Sequence, residues 1–126
     1  MSISTKDFRN LPLEKWNGTT VRAYVSHLNE EKFGIPCISK SVQMENSAIK
    51  RLKDEFGIEV VKEFVEACVS YYKPTPAYPT VNFAFMYSYM KEYELPKVLK
   101  KRQEKSKIEL IKEQQQKKLD SVADYF

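Results

Sequence analysis

The sequence predicts an all-α protein, a four-helix core bundle that carries a long basic C-terminal helix. Three observations point there. Apolar residues recur at i, i+3, i+4 and i+7 in successive segments, the spacing that gathers side chains on one face of a helix. Gly34, Gly57, Pro74 and Pro76 stand where those patterns stop. The charge is divided along the chain: Met1 to Pro96 hold twelve basic and twelve acidic residues, whereas Lys97 to Lys118 hold nine basic and three acidic. With 126 residues the chain suits one modest core, organised as a helical core domain with an N-terminal arm (1–96) and a basic helix and tail (97–126).

Met1 to Trp16 reads as an irregular arm, held to the body by Phe8, Leu11, Leu13 and Trp16. A first helix starts near Thr19 and Thr20, residue types suited to capping, and aligns Val21, Tyr24, Val25 and Leu28. Gly34 stops it, and Ile35 to Val42, with Pro36 and two serines, forms a crossing loop with room for a short strand. The second helix runs from about Asn46 to Phe56. It buries Ile49, Leu52 and Phe56, turns Lys50, Arg51 and Lys53 outward, and ends at Gly57. The third, Ile58 to Tyr72, has the cleanest pattern, with Val61, Phe64, Val65, Cys68, Val69 and Tyr72 in line. Tyr78-Pro79-Thr80 marks the entry to a fourth helix that continues to about Tyr93. Its charges come only at the end, so it is expected to be buried on all sides, Phe85 included. Pro96 then opens a fifth helix reaching about Val122, roughly 40 Å at the standard rise.

Catalysis finds little footing. His27, the only histidine, has no Cys or Ser at a recognisable spacing, and of the three glycines, Gly18, Gly34 and Gly57, two are helix stops, so a phosphate-cradling loop of either common type is absent. The carboxylate pairs Glu30/Glu31 and Asp54/Glu55 sit in charged, solvated settings. Cys37 and Cys68 lack metal-ligand spacing and are expected as free thiols in a reducing compartment. No enzyme, cofactor or metal is therefore expected. The N-terminal residues lack the apolar run of a secretory leader, and Val81 to Met90, the longest apolar-rich stretch, falls short of the ~20 residues of a spanning helix. A soluble cytoplasmic protein is the expectation.

The basic segment points to binding. Lys100 to Lys107 contains no apolar side chain, so no face of it can join a core. Lys97, Lys101 and Lys105 follow one another at i, i+4, where like charges cost an isolated helix about 0.2 to 0.5 kcal/mol per pair. An anion along that face removes the repulsion, and a phosphate backbone adds affinity through released counterions. The candidate nucleic-acid contacts are Lys97, Lys100, Lys101, Arg102, Lys105, Lys107 and Lys112. The plainer alternative is a solvated helix face that keeps the chain in solution. Further on, Ile108, Ile111, Gln115, Leu119 and Val122 fall near one side, a stripe for packing on the body or for self-association. At the tip, Tyr125 and Phe126 are candidate protein contacts, against the alternative of a frayed terminus.

Two further patterns bear on the partner. The Gly57 junction invites a helix-turn-helix reading, but Glu59, Glu63 and Glu66 on the would-be recognition helix would face phosphates with negative charge. That acidic stripe is instead a candidate protein-binding surface, for the basic helix of this or another copy or for an outside partner. Eight aromatics crowd between Tyr71 and Tyr93. Helical spacing assigns most of them to the core and leaves Tyr71, Tyr78 and Tyr93 as the ones within reach of unpaired bases.

The segments Leu13-Glu-Lys-Trp16, Lys32-Phe-Gly-Ile-Pro36, Glu45-Asn46 with Ile49-Lys50, Glu55-Phe-Gly57 and Tyr78-Pro-Thr-Val-Asn-Phe83 carry a resemblance. Over about Trp16 to Leu99 the chain resembles small helical replication accessory proteins, of the helicase-loader or replisome-organiser type, from phages of Gram-positive bacteria. The tryptophan-containing C-terminal motif of DnaD-like replication proteins is missing. What the resemblance implies is a viral protein in the host cytoplasm with a role in DNA replication. Joined to the charge pattern, it leads to the expectation of a non-enzymatic, DNA-binding accessory protein, with a homo-oligomer through the C-terminal helix as a further expectation. The alternative is an adaptor or inhibitor that sets the basic helix on an acidic protein surface of a host or phage enzyme.

Overall fold

Three polar side chains set where the helices begin. In the computed structural model, which describes residues 4–39 and 41–123 and side chains as far as Lys112, helix α1 (Gly18–Phe33) opens at Asn17. The Asn17 side chain accepts from the Thr20 N–H at 3.1 Å, and the Thr20 hydroxyl accepts from the Asn17 N–H at 3.2 Å. This reciprocal pair satisfies two donors that a helix start leaves open, and it puts Thr19 and Thr20 inside the helix instead of at its cap. Helix α2 (Val42–Phe56) starts four residues before the expected Asn46, because the Ser41 hydroxyl accepts from the Met44 N–H at 3.2 Å. No strand occurs among the described residues, those of the loop before it included. Gly57 alone separates α2 from α3 (Ile58–Tyr71), and its φ of +93° is one that side-chain-bearing residues rarely adopt.

Tyr78-Pro79-Thr80 lies in a non-helical connection, and the last helix opens only at Phe83, capped by Asn82, whose side chain accepts from the Phe85 N–H at 2.9 Å. One α turn, Phe83–Phe85, leads into a π-helix, Met86–Met90, and then into an α-helix, Lys91–Ala123. These three segments form one continuous helix, α4. Pro96 lies inside it and opens nothing. A proline there removes one ladder bond to the carbonyl four residues earlier, that of Glu92. Both residues are exposed, so water can serve that carbonyl.

Helix α3 is the central element and packs against each of the others. Val21, Val25, Ile49, Leu52, Val61, Phe64 and Val65 meet around it with almost no exposure. The arm is anchored as expected: Trp16 is buried and its indole N–H donates to the Leu11 carbonyl at 3.0 Å, while Phe8 lies edge-on to it. The all-round burial expected for residues 78–93 is overturned. Phe83, Met86, Leu95 and Val98 face inward, whereas Phe85 is 36% exposed and Tyr89 and Tyr93 are each 66% exposed. A helix laid on one side of a bundle buries one face, and among the described residues nothing covers the other.

Two buried polar residues fix how α4 enters the bundle. Asn29 of α1 donates to the Val25 and Val81 carbonyls at 2.7 and 2.8 Å and accepts from the Val81 N–H at 2.8 Å. Its amide thus pairs with the Val81 backbone as a neighbouring strand would. Glu45 of α2, 1% exposed, accepts from the Ser39 hydroxyl at 2.6 Å and from the Ala84 N–H at 3.4 Å. Its carboxyl group sits at the N-terminal, positive end of α4. Among the described residues no helix is long and apolar enough to cross a membrane.

Candidate functional site

The cations of α4 divide into those held by the body and those left open. Arg102 is held. Its two terminal nitrogens reach Glu59 at 2.8 Å and Glu63 at 2.9 Å, carboxylates one turn apart on α3. Those hydrogen bonds, Glu59 first, raise the guanidinium further above its ordinary pKa. Of the sequence-expected acidic stripe, Glu59 and Glu63 therefore meet the basic helix of their own chain, through this one arginine. Glu66 does not; it pairs with Lys62 at 3.1 Å.

Lys97 is partly engaged. Its ammonium lies 3.4 Å from Glu94 and 5.0 Å from the centre of the Tyr71 ring. Glu94 is itself buried, and its second oxygen has no hydrogen-bond partner among the described residues. Lys101 and Lys105 line an open groove of about 400 Å³ between α3 and α4, with Glu63, Glu66, Ser70 and Tyr71 on the facing side. Lys100 lines the adjoining groove, of about 280 Å³, on the other side of Val98 and Lys101. Lys100, Lys101, Lys105, Lys107 and Lys112 make no ion pair with a described acidic residue. Six cations thus stand between Lys97 and Lys107 against one carboxylate in that segment, Glu104, and only Arg102 among them is clamped from both sides.

Every described side chain from Gln103 to Lys112 is exposed. Ile108 and Ile111 are each more than half exposed, so this part of the expected stripe does not pack on the body. The physical reason is reach: α4 has passed the end of the bundle by then. The side chains of Gln115, Leu119 and Val122 lie outside the described residues, as do Tyr125 and Phe126 altogether.

His27 and the two cysteines lie apart from these cations. His27 sits between Arg9, 3.2 Å from its Nδ1, and Glu31, 3.0 Å from its Nε2, a setting that suits the Nε2–H tautomer. Cys37 and Cys68 are free thiols. Burial pushes the Cys37 thiol up to about 11 and raises that of Cys68 as well, which disfavours the thiolate form of both. Among the described residues no group of three or more His, Cys, Asp or Glu is placed to hold a metal.

Tyr71, Tyr78 and Tyr93 are exposed, as the spacing predicts, but Tyr89 and Phe85 join them. Tyr89 stands four residues before Tyr93, and that interval was the available signal. No family model matches the chain, and no curated protein or solved structure matches it.

Proposed function

We propose that this chain is a non-enzymatic nucleic-acid-binding accessory protein whose contact runs along α4, and that DNA replication or a related DNA transaction is its setting. The observation that supports it is the cluster of cations between Lys97 and Lys107, of which Lys100, Lys101, Lys105 and Lys107 have no internal partner among the described residues. Cations without carboxylate partners are the ones free to replace counterions on a phosphate backbone. The replication setting draws on the resemblance of residues 16–99 to phage accessory proteins. A second reading, an adaptor for an acidic protein surface, draws on the Arg102 fork: α4 already grips a helix that offers carboxylates one turn apart.

The test is a titration of duplex DNA over a range of salt concentrations, read by fluorescence anisotropy. Changing Lys100, Lys101 and Lys105 together to Gln should lower the log-log salt slope by up to about three. Arg102 is left in place, because its charge is already matched. An unchanged slope in that variant refutes the contact, and a partner protein that survives nuclease treatment in a pull-down favours the adaptor.

A further inference from the structure

Phe85, Tyr89, Tyr93, Lys97, Lys101 and Lys105 follow one another at four-residue intervals along α4. From Tyr93 onward, where the helix is α, residues so spaced form a ridge that winds around its surface, and across the π-helical turn before it the Phe85 and Tyr89 rings are neighbours at 4.9 Å. The first three are exposed rings and the last three are lysines. From the arrangement we infer that this ridge is a track for single-stranded nucleic acid, with unpaired bases stacked on the rings and phosphates on the lysines. The inference rests on the nucleic-acid reading and adds to it a strand preference and a set of residues that confer it.

The aromatic end has the features of a stacking surface. The Phe85 and Tyr89 ring centres are 4.9 Å apart, and Phe85 meets the Tyr72 ring edge-on at 5.6 Å. Beside them runs an open groove of about 410 Å³, whose lining includes Tyr78 and holds no charged side chain. In a chain of which 30% is charged, an exposed aromatic surface without charge calls for an occupant. The lysine end supplies the complementary half, since Lys101 and Lys105 have no ion pair with a described residue. A duplex keeps its base faces stacked on one another and can use only the lysines, whereas a single strand can use both ends of the ridge. The twenty steps from Phe85 to Lys105 span about 30 Å, room for several nucleotides.

The experiment compares a labelled oligothymidylate of roughly 16 nucleotides with a duplex of the same length at one salt concentration. The proteins are the full chain, the double variant Tyr89→Ala/Tyr93→Ala and the double variant Tyr89→Phe/Tyr93→Phe. The wild type should bind the single strand more tightly than the duplex. The alanine pair should weaken single-strand binding by about fivefold or more per ring and leave duplex affinity within about twofold. The phenylalanine pair should bind as the wild type does, because a ring face remains. Both positions are exposed, and equal thermal melting of the three proteins checks that the fold is kept.

Equal affinity of the wild type for both polymers, unchanged in the alanine pair, overturns the track and leaves the nucleic-acid reading standing. A phenylalanine pair as weak as the alanine pair also overturns it, since the hydroxyls and not the ring faces would then carry the contact. Binding of neither polymer overturns it together with that reading, and leaves the ridge to a protein partner.

Discussion

The body of the protein and the outer part of α4 are both rich in charge, and they use it in opposite ways. In the body, several charged side chains turn toward the chain itself, although Lys50, Arg51 and Lys73 find no partner among the described residues. Lys32 donates to the Val69 and Ser70 carbonyls at 2.7 and 2.5 Å and so closes the C-terminal end of α3. Lys53 donates to the Trp16 carbonyl at 3.0 Å, and Arg22 to the Asn46 side chain at 2.9 Å. From Gln103 to Lys112 no described side chain makes a hydrogen bond or an ion pair to another described residue. Charge density alone thus does not mark a binding element. What sets α4 apart is a run of cations along one helix that the fold leaves without partners among the described residues, and Arg102 is the boundary between the two regimes.

The largest effects should separate the inner and outer faces. Phe64 has no exposure, and Phe64→Ala should cost about 3–5 kcal/mol, much of the ~5–15 kcal/mol that holds a domain folded. Phe85→Ala should cost far less, about 0.5–1.5 kcal/mol, since it removes ring contacts with Tyr72 and Tyr89 and empties no core space. Urea unfolding monitored by circular dichroism measures both. A Phe85 variant as unstable as the Phe64 variant would mean that the outer face of α4 is covered after all.

A middle-sized effect tests how the body holds α4 in place. Asn29→Ala leaves the buried Val81 N–H and carbonyl without partners, a loss of about 1–3 kcal/mol. The Val81 amide should also exchange its hydrogen faster, which NMR detects directly. Lys107→Ala, on the exposed part of α4, should change stability by no more than about 0.5 kcal/mol. If Asn29→Ala is equally silent, the connection before α4 is held by something other than that amide.

The contrast between the two regions also explains what could be read in the sequence. The buried faces of α1 to α3 are local patterns, and Val61, Phe64, Val65 and Cys68 declare theirs within eight residues. Glu45 was half legible: it stands four residues before Ile49, on the buried face, but its partner, the Ala84 N–H, lies thirty-nine residues away. The start of α2 was missed because Ser41 caps a first turn, Val42 to Glu45, that repeats no apolar spacing yet. The fourth helix misled because its tyrosines count as apolar in composition, although their hydroxyls let them face water. Pro96 misled because its usual position is a helix start, and a continuing helix depends on the local exposure of Glu92. For the site, the cations were visible as composition, but which of them the body would hold was not. That depends on α3 and α4 lying side by side so that Glu59 and Glu63 stand opposite Arg102.

The smallest effect expected is at that boundary. Arg102 and its two carboxylates are all partly or largely exposed, so the fork sits in high dielectric and is screened by salt. Changing Glu59 and Glu63 to Gln should therefore cost no more than about 1 kcal/mol of stability. The same change removes two negative charges beside the cation cluster and releases a guanidinium that the wild type keeps for itself. DNA affinity should rise modestly, and the log-log salt slope should steepen by up to about one as Arg102 becomes a phosphate contact. Glu66→Gln is the internal control. It removes a charge from the same face of α3, but its partner is Lys62, so Arg102 stays held and the slope should not change. Titrations over a range of salt that begins low, where charge effects are least screened, decide the matter. A slope that steepens in both variants assigns the gain to general repulsion along α3, and a slope that steepens only in the double variant assigns it to the released arginine. If the double variant matches the wild type, the fork does not restrain α4 in solution, and Arg102 belongs with the open cations beyond it.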